Sequence, residues 1–209
     1  MSEILQRTPE WFELRLGKVT ASRIGDLMAK TRSGYSASRA NYMAELAIQR
    51  LTGSTVEQGF TSPAMLWGTE QESNARNAYS FFTDNEVNEI AFINHPTIEQ
   101  AGASPDGLVG DDGLVEIKCP NSATHLDTLL TGKINNKYLL QMQWQMACSG
   151  RKWCDFVSFD PRFPEDLKIF IKRVNRDDEL IAEITEEVKK FLAELDETMT
   201  QLEQLAEAA

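Results

Sequence analysis

The sequence predicts a mixed α/β domain in which a central sheet is flanked by helices and followed by one long C-terminal helix. Three observations predict it. Apolar residues recur at helical spacing through the first third of the chain. Strand-like runs bounded by Gly, Pro, Asn and Asp fill the middle, and residues 177–206 form one amphipathic stretch. This alternation of element types belongs to a layered α/β fold.

Gly17-Lys18-Val19-Thr20-Ala21-Ser22 reads as a turn into a short helix through about Met28, with Ile24, Leu27 and Met28 facing inward. A helix over 37–51 is expected to be capped near Ser36 or Ser38 and stopped by Gly53. Ser62-Pro63 supplies a cap and a first-turn proline for a third helix to about Phe82, with Gly68 as the place where it would lose regularity. Strands follow at 88–94, 101–109 and 114–119, the last two joined by the turn Gly110-Asp111-Asp112-Gly113. Residues 135–149 read as a helix, and 153–159 and 168–174 as strands around Asp160-Pro161-Arg162. In 177–206, Ile181, Ile184, Val188, Phe191, Leu195, Leu202 and Leu205 recur at three- and four-residue steps. Thr198 interrupts any coiled-coil seam, so this helix is expected to pack on its own domain.

A chain of 209 residues, 42% hydrophobic and 25% charged, holds enough apolar material for a core without staples. Cys119, Cys148 and Cys154 form no CxxC pair, and their odd number argues against a disulfide framework. No stretch approaches the roughly 20 apolar residues of a membrane span, and the first residues carry no secretory signal pattern. The expectation is a reduced, cytoplasmic protein. A net charge of −11 excludes broad coating of nucleic acid, whose affinity comes largely from Lys and Arg on phosphates. The charge is uneven, however. Residues 1–55 carry eight basic against five acidic residues, and residues 175–209 carry three against eleven. A local DNA groove is compatible with that distribution.

The informative stretch is Ser104-Pro105-Asp106-Gly107, followed after nine residues from Asp106 by Glu116-Ile117-Lys118. Side chains of a strand alternate faces, so Glu116 and Lys118 share one face while Val115 and Ile117 take the apolar other. A charged pair on an inner strand is costly to bury without a purpose. Asp106, at the end of the neighbouring strand, can converge on Glu116, and two converging carboxylates repel unless a cation separates them. Hard oxygens suit Mg²⁺ or Mn²⁺, with the Ile117 backbone carbonyl as a further ligand. Such an ion polarises a phosphate and activates a water, while Lys118 positions or deprotonates that water or shields developing negative charge. Phosphodiester hydrolysis is therefore the expected chemistry.

These residues match the PD-(D/E)xK nuclease pattern. A wider set runs in order: Trp11-Phe12-Glu13-Leu14-Arg15-Leu16-Gly17 with Thr20-Ala21-Ser22, then Leu66-Trp67-Gly68-Thr69-Glu70-Gln71-Glu72, then Ser104-Pro105-Asp106-Gly107-Leu108, then Glu116-Ile117-Lys118-Cys119-Pro120, then Gln141-Met142-Gln143. Together they resemble the lambda exonuclease, or YqaJ-type viral recombinase, family. The resemblance implies a PD-(D/E)xK core and a Mg²⁺-dependent 5′→3′ exonuclease that degrades one strand from double-stranded DNA ends. It also implies a homotrimer working beside a single-strand annealing protein. By the same resemblance Glu72 is an additional acidic residue of the metal site, and Gln141 supports the catalytic water or lysine. Arg15 binds the 5′-phosphate, with Ser22 and Ser104 as hydroxyl partners. One nuclease domain over 1–209 follows, with a helical DNA-facing part (1–82), a sheet core bearing the motif (83–175) and a C-terminal helix (176–209).

Other candidates carry less. His95 and His125 lack the partners of a zinc or triad site and read as structural or exposed. Three cysteines are too few for a four-cysteine iron–sulfur cluster. Cys119 reads as a small packing residue. No phosphate loop for ATP is present. Alternatives that remain open are a site-specific endonuclease of the same fold, a non-catalytic DNA-end scaffold and a metal-dependent hydrolase of a small phosphorylated substrate.

Overall fold

The computed structural model describes residues 4–54 and 62–208, and its elements follow from the local sequence. Thr8 accepts the Trp11 amide and Pro9 takes the first helical position, which starts α1 (Pro9–Arg15). The chain then runs through β1 (Val19–Thr20), a 3₁₀ turn over Ala21–Arg23 and α2 (Ile24–Met28). Ile24 and Leu27 are fully buried and Met28 packs beside them, as their spacing predicts. A ribbon of β2 (Lys30–Thr31) and β3 (Gly34–Tyr35) precedes α3 (Ala37–Thr52), which begins at Ser36 and stops at Gly53 in the left-handed conformation. α4 (Pro63–Thr83) starts at the Ser62 cap and passes through Gly68 without a break.

The middle of the chain feeds two sheets. The run 88–94 divides into β4 (Val87–Asn88) and β5 (Ile93–Asn94), and 101–109 into β6 (Ala101–Ala103) and β7 (Gly107–Val109). In each case the halves join different sheets, which corrects the expectation of continuous strands. The second break falls on Ser104-Pro105-Asp106. Pro105 has no N–H to give a ladder, and Asp106 turns its carboxylate to the Ile117 amide. After β8 (Gly113–Lys118) come α5 (Ser122–Thr131) and α6 (Asn136–Ser149), capped by Asn121 and Asn135. β9 (Trp153–Phe159), β10 (Ile169–Asn175) and α7 (Asp178–Glu207) complete the chain.

The main sheet has the order β10-β9-β8-β7-β4, with β8 and β9 parallel and the other pairs antiparallel. A smaller sheet places β6 between β1, parallel, and β5, antiparallel. Alternation on β8 sorts its side chains. Val115 and Ile117 pack with Ala75 and Tyr79 of α4, while Leu114 joins the larger core. α6 crosses that core and is buried from Leu140 through Cys148. α7 packs over it through Ile181, Ile184, Val188, Phe191, Leu192 and Leu195, with Met199 partly buried beyond them, while Leu205 is exposed. Among the described residues no helix is long and apolar enough to cross a membrane.

Candidate active site

Strand alternation on β8 turns Glu116 and Lys118 toward α6, where Tyr138, Gln141 and Gln145 share one helix face by three- and four-residue spacing. Glu116 is only 1% exposed, yet each of its oxygens is satisfied. Oε1 accepts from Gln141 Nε2 at 2.7 Å and Oε2 from Gln145 Nε2 at 2.6 Å. The Lys118 ammonium pairs with Oε1 and lies 4.9 Å from the centroid of the Tyr138 ring. Buried carboxylates persist only when paired and hydrogen-bonded, and Glu116 has both kinds of partner.

Asp106 reaches the same place from the broken end of β7. Its Oδ2 accepts the Ile117 N–H at 2.6 Å. A strand residue turns its N–H and C=O to the same side, so the Ile117 carbonyl opens toward the edge that Asp106 occupies. Desolvation, then the charge of Glu116, holds the Asp106 carboxyl well above the usual carboxylate range. Glu72 adds to that rise, while Lys118 and the Ile117 amide oppose it. Desolvation works against charge on Lys118, but Glu116 and Asp106 outweigh it and raise its pKa. Lys118 is thus held as a positive charge against Glu116.

The crowding of negative charge on Asp106 is what a divalent cation relieves. Asp106, Glu116 and the Ile117 carbonyl offer hard oxygens, and Mg²⁺ takes only one or two carboxylates from a protein, so the donor set fits that ion. Among the described residues no three His, Cys, Asp or Glu side chains form a ligand cluster. Glu72 lies near enough to act on Asp106, but its own carboxylate is engaged by Arg7 and by Arg76, the latter at 3.0 Å.

A second feature begins two residues before Asp106. Ser104 Oγ accepts from Arg15 Nη1 and from Trp11 Nε1, each at 3.0 Å, and the Arg15 guanidinium stacks 4.2 Å above the Trp11 ring. Arg15 and Ser22 line one cleft of about 200 Å³ with Lys18, Arg23 and Tyr42. Burial pulls the Arg15 pKa down to about 10, against a small opposing effect of Tyr42, which still leaves it charged at neutral pH. Of the other cations lining the cleft, Arg23 pairs with Glu45 and Lys18 is hydrogen-bonded to Asn94. Among the described residues Arg15 meets no carboxylate, and a desolvated cation without a counter-ion is a place for an anion.

The structure thus gathers Asp106, Glu116, Lys118 and Gln141 in one site, sets Glu72 at its margin, and joins Arg15 to it through Ser104. Ser22 shares the Arg15 cleft. Sequence pattern alone gives Gln145 no role, and its place one turn after Gln141 is the signal that points to it. His125 is buried between Ser158 and the Leu167 carbonyl, and His95 stacks on Trp144 with its Nδ1 facing the Thr97 and Ile98 amides, so both are structural. Burial, Glu72 and Asp106 push the Cys119 thiol up to about 12, and it packs among apolar residues as expected.

Residues 10–152 match the model of the YqaJ-like viral recombinase domain. The chain is 55% identical to an alkaline exonuclease, LHK-Exo, from Laribacter hongkongensis. That comparison covers 96% of this chain and 99% of the other with a TM-score of 0.90. The structure of LHK-Exo in complex with dAMP aligns equally well, covering 97% and 100%. A phage-related exonuclease from Haemophilus somnus 129PT shares the fold at 17% identity, with a TM-score of 0.69 over 88% of this chain and 96% of the other. No curated protein matches. The family model spans both the Arg15 cleft and the Asp106–Lys118 site, and on that match the chain belongs to the YqaJ-like viral recombinase domain family.

Proposed function

We propose that this protein is a DNA exonuclease that uses Mg²⁺, or Mn²⁺ in its place, to hydrolyse phosphodiesters of one strand from the 5′ end of a duplex. Family membership and 55% identity to an alkaline exonuclease over 96% of the chain support the exonuclease reading. LHK-Exo was crystallised with dAMP, and a nucleoside monophosphate is what an exonuclease releases. The observation that carries the reading is the tie between two sites. Arg15, desolvated and without a carboxylate, shares Ser104 with the loop that ends in Asp106, so a terminal phosphate and the hydrolytic centre would be held by adjacent residues.

Asp106, Glu116 and the Ile117 carbonyl would hold the metal, which when bound polarises the scissile phosphate and activates a water. Gln141 and Gln145 fix the Glu116 carboxylate in one orientation. Lys118 positions or deprotonates the attacking water, or shields the negative charge that develops in the transition state. Arg15 presents a planar fork of donors to the terminal phosphate, and Trp11 sets its plane. The reading extends to a homotrimer that supplies single strands to an annealing protein in recombination. Light scattering would show three chains per particle.

The test compares linear with covalently closed circular duplex in Mg²⁺, in Ca²⁺ and in EDTA, with end-labelled product analysis. Mononucleotides released from linear 5′ ends in Mg²⁺ alone are the expected result. Ca²⁺ supports binding without turnover, being larger and geometrically lax. Cutting of closed circles points to an endonuclease, and absence of cleavage in every arm points to a scaffold. Either outcome contradicts the proposal.

A further inference from the structure

The segment ahead of α1 plays no part in the mechanism above, yet it touches the site at two points. Gln6 Nε2 donates to the carbonyls of Ile90 and Pro105, each at 2.8 Å, which uses both of its hydrogens. Arg7 follows at φ 69°, a left-handed conformation uncommon outside glycine and kept only where the surroundings fix it. That turn sends its guanidinium to Glu72, the carboxylate whose charge is felt at Asp106. Thr8 then caps α1, which brings Trp11 and Arg15 to the Ser104 hydroxyl.

Ser104-Pro105-Asp106 is thus gripped from one side by the N-terminal segment and from the other by β8. Ser104 is held through its hydroxyl, Pro105 through its carbonyl and Asp106 through the Ile117 amide. This tripeptide lies outside both sheets, so no ladder fixes it. Pro105 restricts its own φ, but the orientation of the peptide entering Asp106 depends on what holds the Pro105 carbonyl. Gln6 holds it.

We infer that Gln6 is a positioning residue for the reaction: by anchoring the Pro105 carbonyl it sets the Asp106 carboxylate for the cation, without touching substrate or reacting atoms. The inference rests on the reading of Asp106 as a metal-holding carboxylate. An outer partner that orients a ligand typically changes metal affinity or activity by about ten- to a hundred-fold.

The experiment uses the full chain with Gln6→Ala and Gln6→Met, the second filling the same space without donating. Mn²⁺ binding is titrated by calorimetry in the absence of DNA. The kcat and KM on a linear 5′-phosphorylated duplex, and Tm, are measured alongside. We expect both variants to bind Mn²⁺ and turn over about ten- to a hundred-fold more weakly, with KM for DNA near wild type. A variant with lowered Tm but wild-type Mn²⁺ affinity and kcat, read well below its Tm, would make Gln6 a mere structural tie and overturn the inference. Wild type that neither binds nor requires a divalent ion overturns the proposed function itself, and this inference with it. If Gln6→Ala does not fold, Gln6→Met decides by the same readouts.

Discussion

Glu116 shows how a single residue is prepared for work. Its burial is costly without partners, and Gln145 supplies one of three. Gln145→Leu, nearly the same size, leaves one oxygen short of a charge-assisted bond worth about 1.5–3 kcal/mol. We expect kcat to fall roughly ten-fold or more with KM for DNA unchanged, as single-turnover cleavage would measure. Asp160 offers a contrasting case outside the site. Burial opposes its charge, but Arg162 and Ser122 outweigh that and depress its pKa. A carboxylate with a depressed pKa contributes stability above its unfolded value, near 3.9, and loses it as pH falls through the folded one. Asp160→Asn should therefore lower Tm at pH 7, and the gap should close on acidification below about pH 4. A gap independent of pH would contradict the assignment. Asp106, Glu116 and Lys118 were legible in the sequence because strand alternation and a turn place them without knowledge of the rest. Gln145 and Gln6 were not. A neutral amide carries no chemical signature of its own, Gln145 being marked only by its helical spacing from Gln141, and the Gln6 contact to Pro105 spans 99 positions.

Elements were legible where their own side chains make the core. α6, β9, β10 and α7 fall within a residue of their expected bounds, since α6, β9 and α7 bury apolar residues and β10 half-buries Ile169, Phe170, Ile171 and Val174. α1 buries no residue, so it left no periodic trace. α5 inverts the usual pattern: His125 and Thr128 are buried while Leu126 and Leu130 are exposed. The split of 101–109 was hidden because both halves read as strand and only their partners differ. Packing at the start of β8 gives a prediction at this scale. A Cβ on Gly113 would lie 2.1 Å from the Trp153 ring, whose other contacts include the Arg173 guanidinium 3.5 Å from its centroid. Gly113→Ala should cost about 1–3 kcal/mol through overpacking. That would appear as a Tm lowered by a few degrees per kcal/mol in a chain of this size. An unchanged Tm would mean that Trp153 yields freely.

At the scale of the whole molecule, the acidic total hides its own arrangement. The surplus collects in the last 35 residues, yet Glu187, Glu194 and Asp196 of α7 pair with Lys30, Arg39 and Arg50 of the N-terminal region. Within the cleft Arg23 is paired with Glu45, whereas among the described residues neither Arg15 nor Lys18 meets a carboxylate, and Arg15 is the one that burial has desolvated. The central claim is that this anion is the 5′-phosphate of a DNA end, and it is tested most directly by cleavage rates on duplexes differing only in that group. Wild type should degrade a 5′-phosphorylated duplex roughly ten- to a hundred-fold faster than a 5′-hydroxyl duplex, the effect of one charge-assisted bond felt in the transition state. Arg15→Ala should erase the difference while matching wild type on the 5′-hydroxyl duplex. A wild type indifferent to the terminal group, or a variant slowed equally on both ends, would contradict the account.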